Sequence, residues 1–190
     1  TFISEGDFYS NSLKIRKQGT FDEPQLIYSS TKFTAQPQIK HNKIFITTND
    51  NAPNFKIMWT DIEHPDFQNW KNFYPEQNDE VIDGCILTEQ YVLVLYKKDI
   101  MRHCKALDYS GKIIQEITPP EFGDIAGIYY EKVSKKIYAT LSTFTSQAKL
   151  YEISGDNLNS WKMIYQDISP INTDNIESKL VFYKSKDSTQ

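Results

Sequence analysis

Gln90-Tyr91-Val92-Leu93-Val94-Leu95 is answered upstream by Asn42-Lys43-Ile44-Phe45-Ile46-Thr47 and downstream by Lys135-Lys136-Ile137-Tyr138-Ala139-Thr140. The spacing is about 45 residues, a period long enough for one small sheet per repeat. About a dozen residues after each run comes a second one: Phe55-Lys56-Ile57-Met58-Trp59-Thr60-Asp61, then Lys105-Ala106-Leu107-Asp108-Tyr109, then Lys149-Leu150-Tyr151-Glu152-Ile153. Asn69-Trp70-Lys71-Asn72-Phe73-Tyr74 and Ser160-Trp161-Lys162-Met163-Ile164-Tyr165 close two of the repeats in nearly the same words. A repeat of this length built only of strands is the signature of a β-propeller blade. Such a fold presents binding surfaces and does not by itself supply chemistry.

The central runs are apolar on both alternating faces, with Val92 and Val94 to one side and Leu93 and Leu95 to the other. A half-exposed strand alternates apolar and polar residues. Apolar residues on both faces mean burial between two neighbouring layers. The reading is an all-β chain of about four blades, each a four-stranded antiparallel sheet. An incomplete blade occupies 1–30, with strands at 1–4, 12–17 and 25–30 taken as the last three of four. Complete blades follow at about 31–77, 78–119 and 120–168. A polar linker from 169 and one more strand at 179–183 complete the chain to 190. Turn chemistry separates the runs at Asn49-Asp50-Asn51-Ala52-Pro53-Asn54, Ser110-Gly111 and Ser154-Gly155-Asp156-Asn157. Helical signals are nearly absent; His64-Pro65-Asp66-Phe67 suits one short turn.

Composition sets bounds. At 39% hydrophobic and 24% charged, the chain can build a packed core and is unlike a disordered segment. Net charge is −4, and the lysine pairs Lys97-Lys98 and Lys135-Lys136 fall at strand ends, so no basic patch for nucleic acid is expected. No apolar stretch approaches the roughly 20 residues of a membrane-spanning helix, and no membrane partner is expected. The opening Thr1-Phe2-Ile3-Ser4 already reads as a strand, which suggests a piece excised from something longer. The two cysteines, Cys85 and Cys104, fall on the first and third strands of one blade. With a strand between them they stand about 10 Å apart, beyond disulfide reach. Free, buried thiols are expected.

No motif here carries chemistry. His41, His64 and His103 lack partners at metal-ligand spacing, and His103 and Cys104 point to opposite faces of one strand. Asp79-Glu80, and Asp61 with Glu63, read as solvated carboxylates rather than acid–base pairs. Asp22-Glu23 and Asp50 lack the oxygen density of a calcium loop. Trp59, Trp70, Trp161, Tyr129 and Tyr130 fit blade packing better than a sugar or peptide site. The expectation is no catalytic residue, no cofactor-binding residue and no metal ligand.

Several segments resemble the prolyl oligopeptidases (prolyl endopeptidases), a family of serine peptidases. Thr47-Thr48-Asn49-Asp50-Asn51-Ala52-Pro53-Asn54-Phe55-Lys56-Ile57 is similar to a passage of their propeller. So are Trp70-Lys71 through Tyr74-Pro75-Glu76, Tyr91 through Tyr96 with Lys98-Asp99, and Ser142-Thr143-Phe144. Lys179-Leu180-Val181-Phe182-Tyr183-Lys184-Ser185-Lys186-Asp187 resembles their crossing from propeller to catalytic domain. The resemblance implies a seven-bladed N-terminal propeller capping an α/β-hydrolase domain that holds the Ser, Asp and His. This chain would be the C-terminal part of that propeller, without the triad and inactive alone. In its parent it would gate entry of short Pro-containing peptides. The implied partners are the hydrolase domain and the peptide, with a homo-oligomer possible through its terminal blades; the implied location is cytoplasmic. Three positions depart from the family: Ser4 where an arginine often helps hold substrate, Gln147 in place of a proline, and Ser188 in place of a glycine. Serine cannot make arginine's bidentate bond to a carbonyl. The rival expectation is a free-standing propeller module that binds peptide or protein, or a degenerate split-gene product without peptidase activity.

Overall fold

The computed structural model describes residues 1–7, 9–167, 175–184 and 186. Contacts divide the chain into two units, residues 1–118 with 130–135, and residues 119–129 with 136–190.

The first unit carries three antiparallel sheets. The first is β1 (Phe2–Gly6), β2 (Asn11–Ile15) and β3 (Gln25–Ser29). The second is β4 (Ala35–Lys40), β5 (Lys43–Thr48), β6 (Lys56–Asp61) and β7 (Lys71–Tyr74). The third is β8 (Val81–Leu87), β9 (Val92–Lys98), β10 (Met101–Leu107) and β11 (Ile113–Ile117). The second unit carries the fourth sheet, β12 (Asp124–Glu131), β13 (Lys136–Ser142), β14 (Lys149–Ile153) and β15 (Trp161–Gln166). Strands in every sheet are ordered as in sequence, so each sheet is a simple meander. The three central runs identified in the sequence are β5, β9 and β13, each second in its own sheet. One 3-10 turn, Phe67–Asn69, follows the His64-Pro65-Asp66 signal.

The sheets repeat in detail. Between third and fourth strands the register slips at Ile57/Met58, Ala106/Leu107 and Leu150/Tyr151. In the three-stranded sheet the slip comes between β2 and β3, at Leu13/Lys14. The shared bulge aligns β1, β2 and β3 with the second, third and fourth strands of a complete blade. Among the described residues no strand pairs with the other side of β1. Thr1 and Arg16 exchange both backbone hydrogen bonds, at 2.8 and 2.9 Å, and Asp7 N–H donates to Ser10 O at 3.0 Å. Antiparallel pairing alternates, so Ile3 and Glu5 bond inward to β2 while Phe2, Ser4 and Gly6 turn their backbone groups to the open edge.

The alternation read from β5 has a direct packing consequence. Ile44 and Ile46 enter one core, with Leu13, Ile27, Tyr28 and Trp70 of the first and second blades. Phe45 enters another, with Ile57, Phe73, Ile82, Val92 and Val94 of the second and third blades. One strand thus supplies hydrophobic surface to two interfaces, and all of its side chains from Ile44 to Thr48 are buried. Each fully buried aliphatic or aromatic side chain contributes about 1.5–3 kcal/mol.

Cys85 lies on β8 and Cys104 on β10, with β9 between them; both are buried and free. The strand expected at 179–183 does not form. Residues 176–184 make no ladder, and Val181, Phe182 and Tyr183 are exposed. A strand needs a hydrogen-bonded neighbour, and among the described residues none pairs with this segment. The expected polar linker from 169 to 174 lies outside the described residues, as do Ser185 and Asp187.

Candidate functional site on the first strands of the blades

β4 and β8, the first strands of the second and third blades, lie side by side, and β6 also reaches β8. Between them is a cavity of about 400 Å3 lined by Gln36, Gln38, Asp83, Gly84, Cys85 and Arg102, with Thr47 and Leu95 behind. Its lining follows from a bulge. The register of β8 on β9 slips between Ile82 and Gly84, leaving Asp83 unpaired, and Gly84 adopts φ 154°. A bulge re-aims the side chain at the inserted position. Asp83 is thereby clasped by two cations, Lys97 Nζ at 3.0 Å and Arg102 Nε at 2.7 Å. Gln38 Nε2 crosses from one blade to the next to donate to Cys85 O at 2.6 Å. Farther along, Lys40 bonds Glu89 at 2.5 Å.

This wall is polar and rich in hydrogen-bonding groups, and it holds no activated nucleophile among the described residues. Burial pushes the Cys85 thiol up to about 12, with Thr47 pulling weakly the other way. Burial also pushes Cys104 far above its ordinary range. Neither is a thiolate at neutral pH, so neither can attack a substrate.

Ser4 sits on the open-edge strand β1 and is exposed. Its hydroxyl accepts a hydrogen bond from Asn11 Nδ2 at 2.8 Å. Asn11 also clamps the next blade, donating to Ala35 O at 2.8 Å and accepting from Ala35 N–H at 2.7 Å. Ser4 is thus part of a junction between blades.

The other sequence candidates are dispersed. His41 and Asn42 form the two-residue β4–β5 turn, both at positive φ (50° and 57°), which suits a primed hairpin turn. The His41 ring packs edge-on to Tyr109 at 4.6 Å. His103 stacks on Tyr96 at 5.4 Å, and His64 is exposed beside the 3-10 turn. Among the described residues no three of His, Cys, Asp and Glu gather as a metal site. Asp79 and Glu80 part company: Asp79 pairs with Lys98 at 2.5 Å, and Glu80 with Lys105 at 2.7 Å. Asp61 and Glu63 are exposed, as are Asp22 and Glu23; Asp50 accepts from Asn51. Trp59 is covered by Lys43 Nζ at 3.5 Å from its ring. Trp70 is buried and donates to Pro65 O at 2.9 Å. Trp161 packs on Tyr151, Tyr130 is buried and Tyr129 exposed. These aromatics do not form one site.

Sequence reading passed over two features. One is the Asp83 bulge, whose only sign is an Asp-Gly pair inside a strand. The other is Lys105, a buried lysine on β10. It donates to both Glu80 oxygens, at 2.7 and 2.9 Å, and to Tyr74 O–H at 3.0 Å, and lies 4.1 Å from the centre of the Tyr96 ring. Burial pulls Lys105 down, but Glu80 and Tyr74 outweigh it and hold the ammonium above its ordinary range. The fourth sheet repeats the device: Lys149 on β14 donates to Glu121 at 2.6 and 2.8 Å, and Tyr151 joins them at 3.1 Å. In both blades a third-strand lysine ties down a glutamate in the loop that enters its own blade.

Fold and site together define a segment of β-propeller whose blades are four-stranded antiparallel sheets. Residues 13–162 match the prolyl oligopeptidase N-terminal β-propeller domain, and the chain belongs to that family. It is 30% identical over 150 residues to a prolyl endopeptidase of Elizabethkingia miricola, covering 77% of this chain and 20% of that protein. Over 151 residues it is 24% identical to a dual function macrocyclase-peptidase of Galerina marginata, again covering 77% of this chain and 20% of the relative. Thus it spans about a fifth of the length of these curated relatives. Among solved structures it superposes with a TM-score of 0.87, at 18% identity, on a chain from a structural and mechanistic analysis of two prolyl endopeptidases, covering 99% of this chain and 28% of that one. Apo prolyl oligopeptidase B from Galerina marginata gives 0.82 at 19% identity, covering 99% of this chain and 28% of that one. These two likenesses show the fold.

Proposed function

We propose that this chain serves as part of the gating cap of a prolyl oligopeptidase-like serine endopeptidase that cleaves short Pro-containing peptides, and contributes no catalytic group itself. The observation that carries the reading is the match of residues 13–162 to the family's propeller. In this reading the partner is an α/β-hydrolase domain, and the substrate is a peptide narrow enough to pass the polar wall of Gln36, Gln38, Asp83 and Arg102. Residues 1–168 correspond to the C-terminal part of the propeller. What supports that placement is the Lys179–Asp187 stretch, which resembles the crossing into the catalytic domain. The two free buried thiols fit a reducing, cytoplasmic compartment.

The test is complementation. The purified chain is assayed on a Pro-containing fluorogenic peptide, alone and mixed with the hydrolase domain of a relative. The expected result is no turnover alone, and turnover in the mixture that falls off as the peptide is lengthened. A mixture no different from the isolated hydrolase domain would favour a free-standing binding module.

A further inference from the structure

One face of the fourth blade repeats one face of the second, position by position. In the second blade Ile57 pairs with Thr47 and with Tyr74, and Phe73 is the extra residue of the bulge. In the fourth, Leu150 pairs with Thr140 and with Tyr165, and Ile164 is the extra residue. Phe45 and Tyr138 each stand two positions before their threonine and so share its face. Both sheets thus present an aromatic residue, a threonine, an aliphatic residue, an apolar bulge residue and a tyrosine in the same register.

The two sets differ in their cover. In the second blade Phe45, Thr47, Ile57, Phe73 and Tyr74 are all buried. Its four apolar members share a core with Ile82, Val92 and Val94 of the third blade. In the fourth blade Ile164 is 44% exposed and Tyr165 59%, while Tyr138, Thr140 and Leu150 are half-buried. The opposite face of the same sheet is closed, with Ile137, Ala139, Leu141, Tyr151 and Ile153 all buried. A contiguous apolar face that one repeat buries and another leaves bare marks an interaction surface.

The chain offers two faces that could cover it from a second copy. One is the side of the first blade turned away from the second, with Ile3, Glu5, Ser12 and Lys14. There Glu5 and Lys14 pair at 2.8 Å, and stacking Leu150 and Tyr165 on that pair would strip its water with little return. The other is the like face of the fourth blade. Its charges, Lys136, Glu152 and Lys162, lie toward one end and stay in water, with Glu152 already paired to Lys136 at 2.9 Å. The Tyr165 hydroxyl keeps its bond to Asp167 at 2.6 Å, so covering its ring leaves no donor unpaired. We propose that this face docks a second copy of the chain, the two fourth blades packing face to face about a two-fold axis. Like faces joined by a two-fold axis form a closed pair, the commonest arrangement of identical chains. The inference stands apart from the peptidase reading, because it concerns the chain alone and none of these residues lines the wall of first strands.

The experiment is sedimentation velocity of the full chain from micromolar to submillimolar concentration, with cross-linking of a Thr140→Cys variant by a short bismaleimide. Cys85 and Cys104 are buried and leave the new thiol as the reactive one. The expected result is a monomer–dimer equilibrium that stops at the dimer, and a covalent dimer through residue 140. Tyr165→Lys and Ile164→Lys each raise the dissociation constant at least tenfold without lowering the midpoint of unfolding in dilute solution, since both side chains are exposed in the single chain. Ser12→Arg, on the first blade, leaves the constant unchanged. A monomer at every concentration overturns the inference, as does a dimer indifferent to Tyr165→Lys. Loss of the dimer in Ser12→Arg, or growth beyond the dimer, makes the contact head to tail and overturns the two-fold. The concentration series on the wild-type chain stands even where a variant folds poorly.

Discussion

Ile44 and Phe45 are neighbours on β5 and lie in different hydrophobic cores, Ile44 between the first and second blades and Phe45 between the second and third. The pleat of one strand therefore joins three sheets into one packed stack within the first unit. Deleting either side chain leaves a cavity, because close-packed neighbours collapse only partly. Phe45→Ala is expected to cost about 3–5 kcal/mol and Ile44→Ala about 2–5 kcal/mol. Urea unfolding followed by tryptophan fluorescence checks this. A loss under 1 kcal/mol for both would mean that the blades are not packed as described.

Lys105 is the sharpest electrostatic feature of the first unit. Lys105→Met leaves Glu80 partly buried without its cation, a change worth about 3–5 kcal/mol. Replacing Glu80 by Gln as well removes the stranded charge, so the double variant is expected to recover most of the loss. A double-mutant cycle in urea measures the coupling, and additive losses would show that the pair is not linked.

The same cluster sets an alkaline limit. Lys105 holds its proton above its ordinary value of 10.5. Tyr96 does so above its ordinary 10.0, through burial first and its hydrogen bond to Glu116 second. Both groups bind protons more tightly folded than unfolded. Their stabilisation is complete below about pH 10 and drains away as pH rises through the raised values. Urea midpoints measured from pH 8 to 11 should hold steady and then fall. A midpoint that climbs above pH 10 would contradict the assignment.

Cys85 and Cys104 should resist a thiol reagent at pH 8, because they are buried and their thiols are held protonated. The modification rate is expected to track global unfolding across a urea series. Rapid labelling of either cysteine in the absence of urea would place it at the surface.

Along β1 the backbone should show a two-residue rhythm in hydrogen exchange. The amides of Ile3 and Glu5 point to β2 and should exchange slowly. Those of Phe2, Ser4 and Gly6 face the open edge and should exchange quickly. Protection of all five would mean that another strand covers that edge.

Much of this architecture is legible in the chain. Ile44–Ile46, Val92–Val94 and Ile137–Ala139 recur at one period, and the first two are buried on both faces, as a strand packed between sheets requires. The strand read at 12–17, observed at Asn11–Ile15, and the separation of Cys85 from Cys104 follow from the same pattern. The segment 179–183 misled because its β-prone residues describe a local preference, while a strand exists only with a partner. Asp83, Arg102 and Lys105 went unnoticed because nothing local marks a charge that will be buried or clasped.

Periodicity, turn residues and apolar alternation by themselves determined that this protein is built of antiparallel sheets, since these are one-dimensional properties of the chain. Only the tertiary structure decided which polar groups converge, as Gln38 with Cys85 and Asn11 with Ala35, each pair across two blades. Those groupings depend on the bulge at Asp83 and on the stacking of one sheet against the next, and neither distance is written in sequence separation.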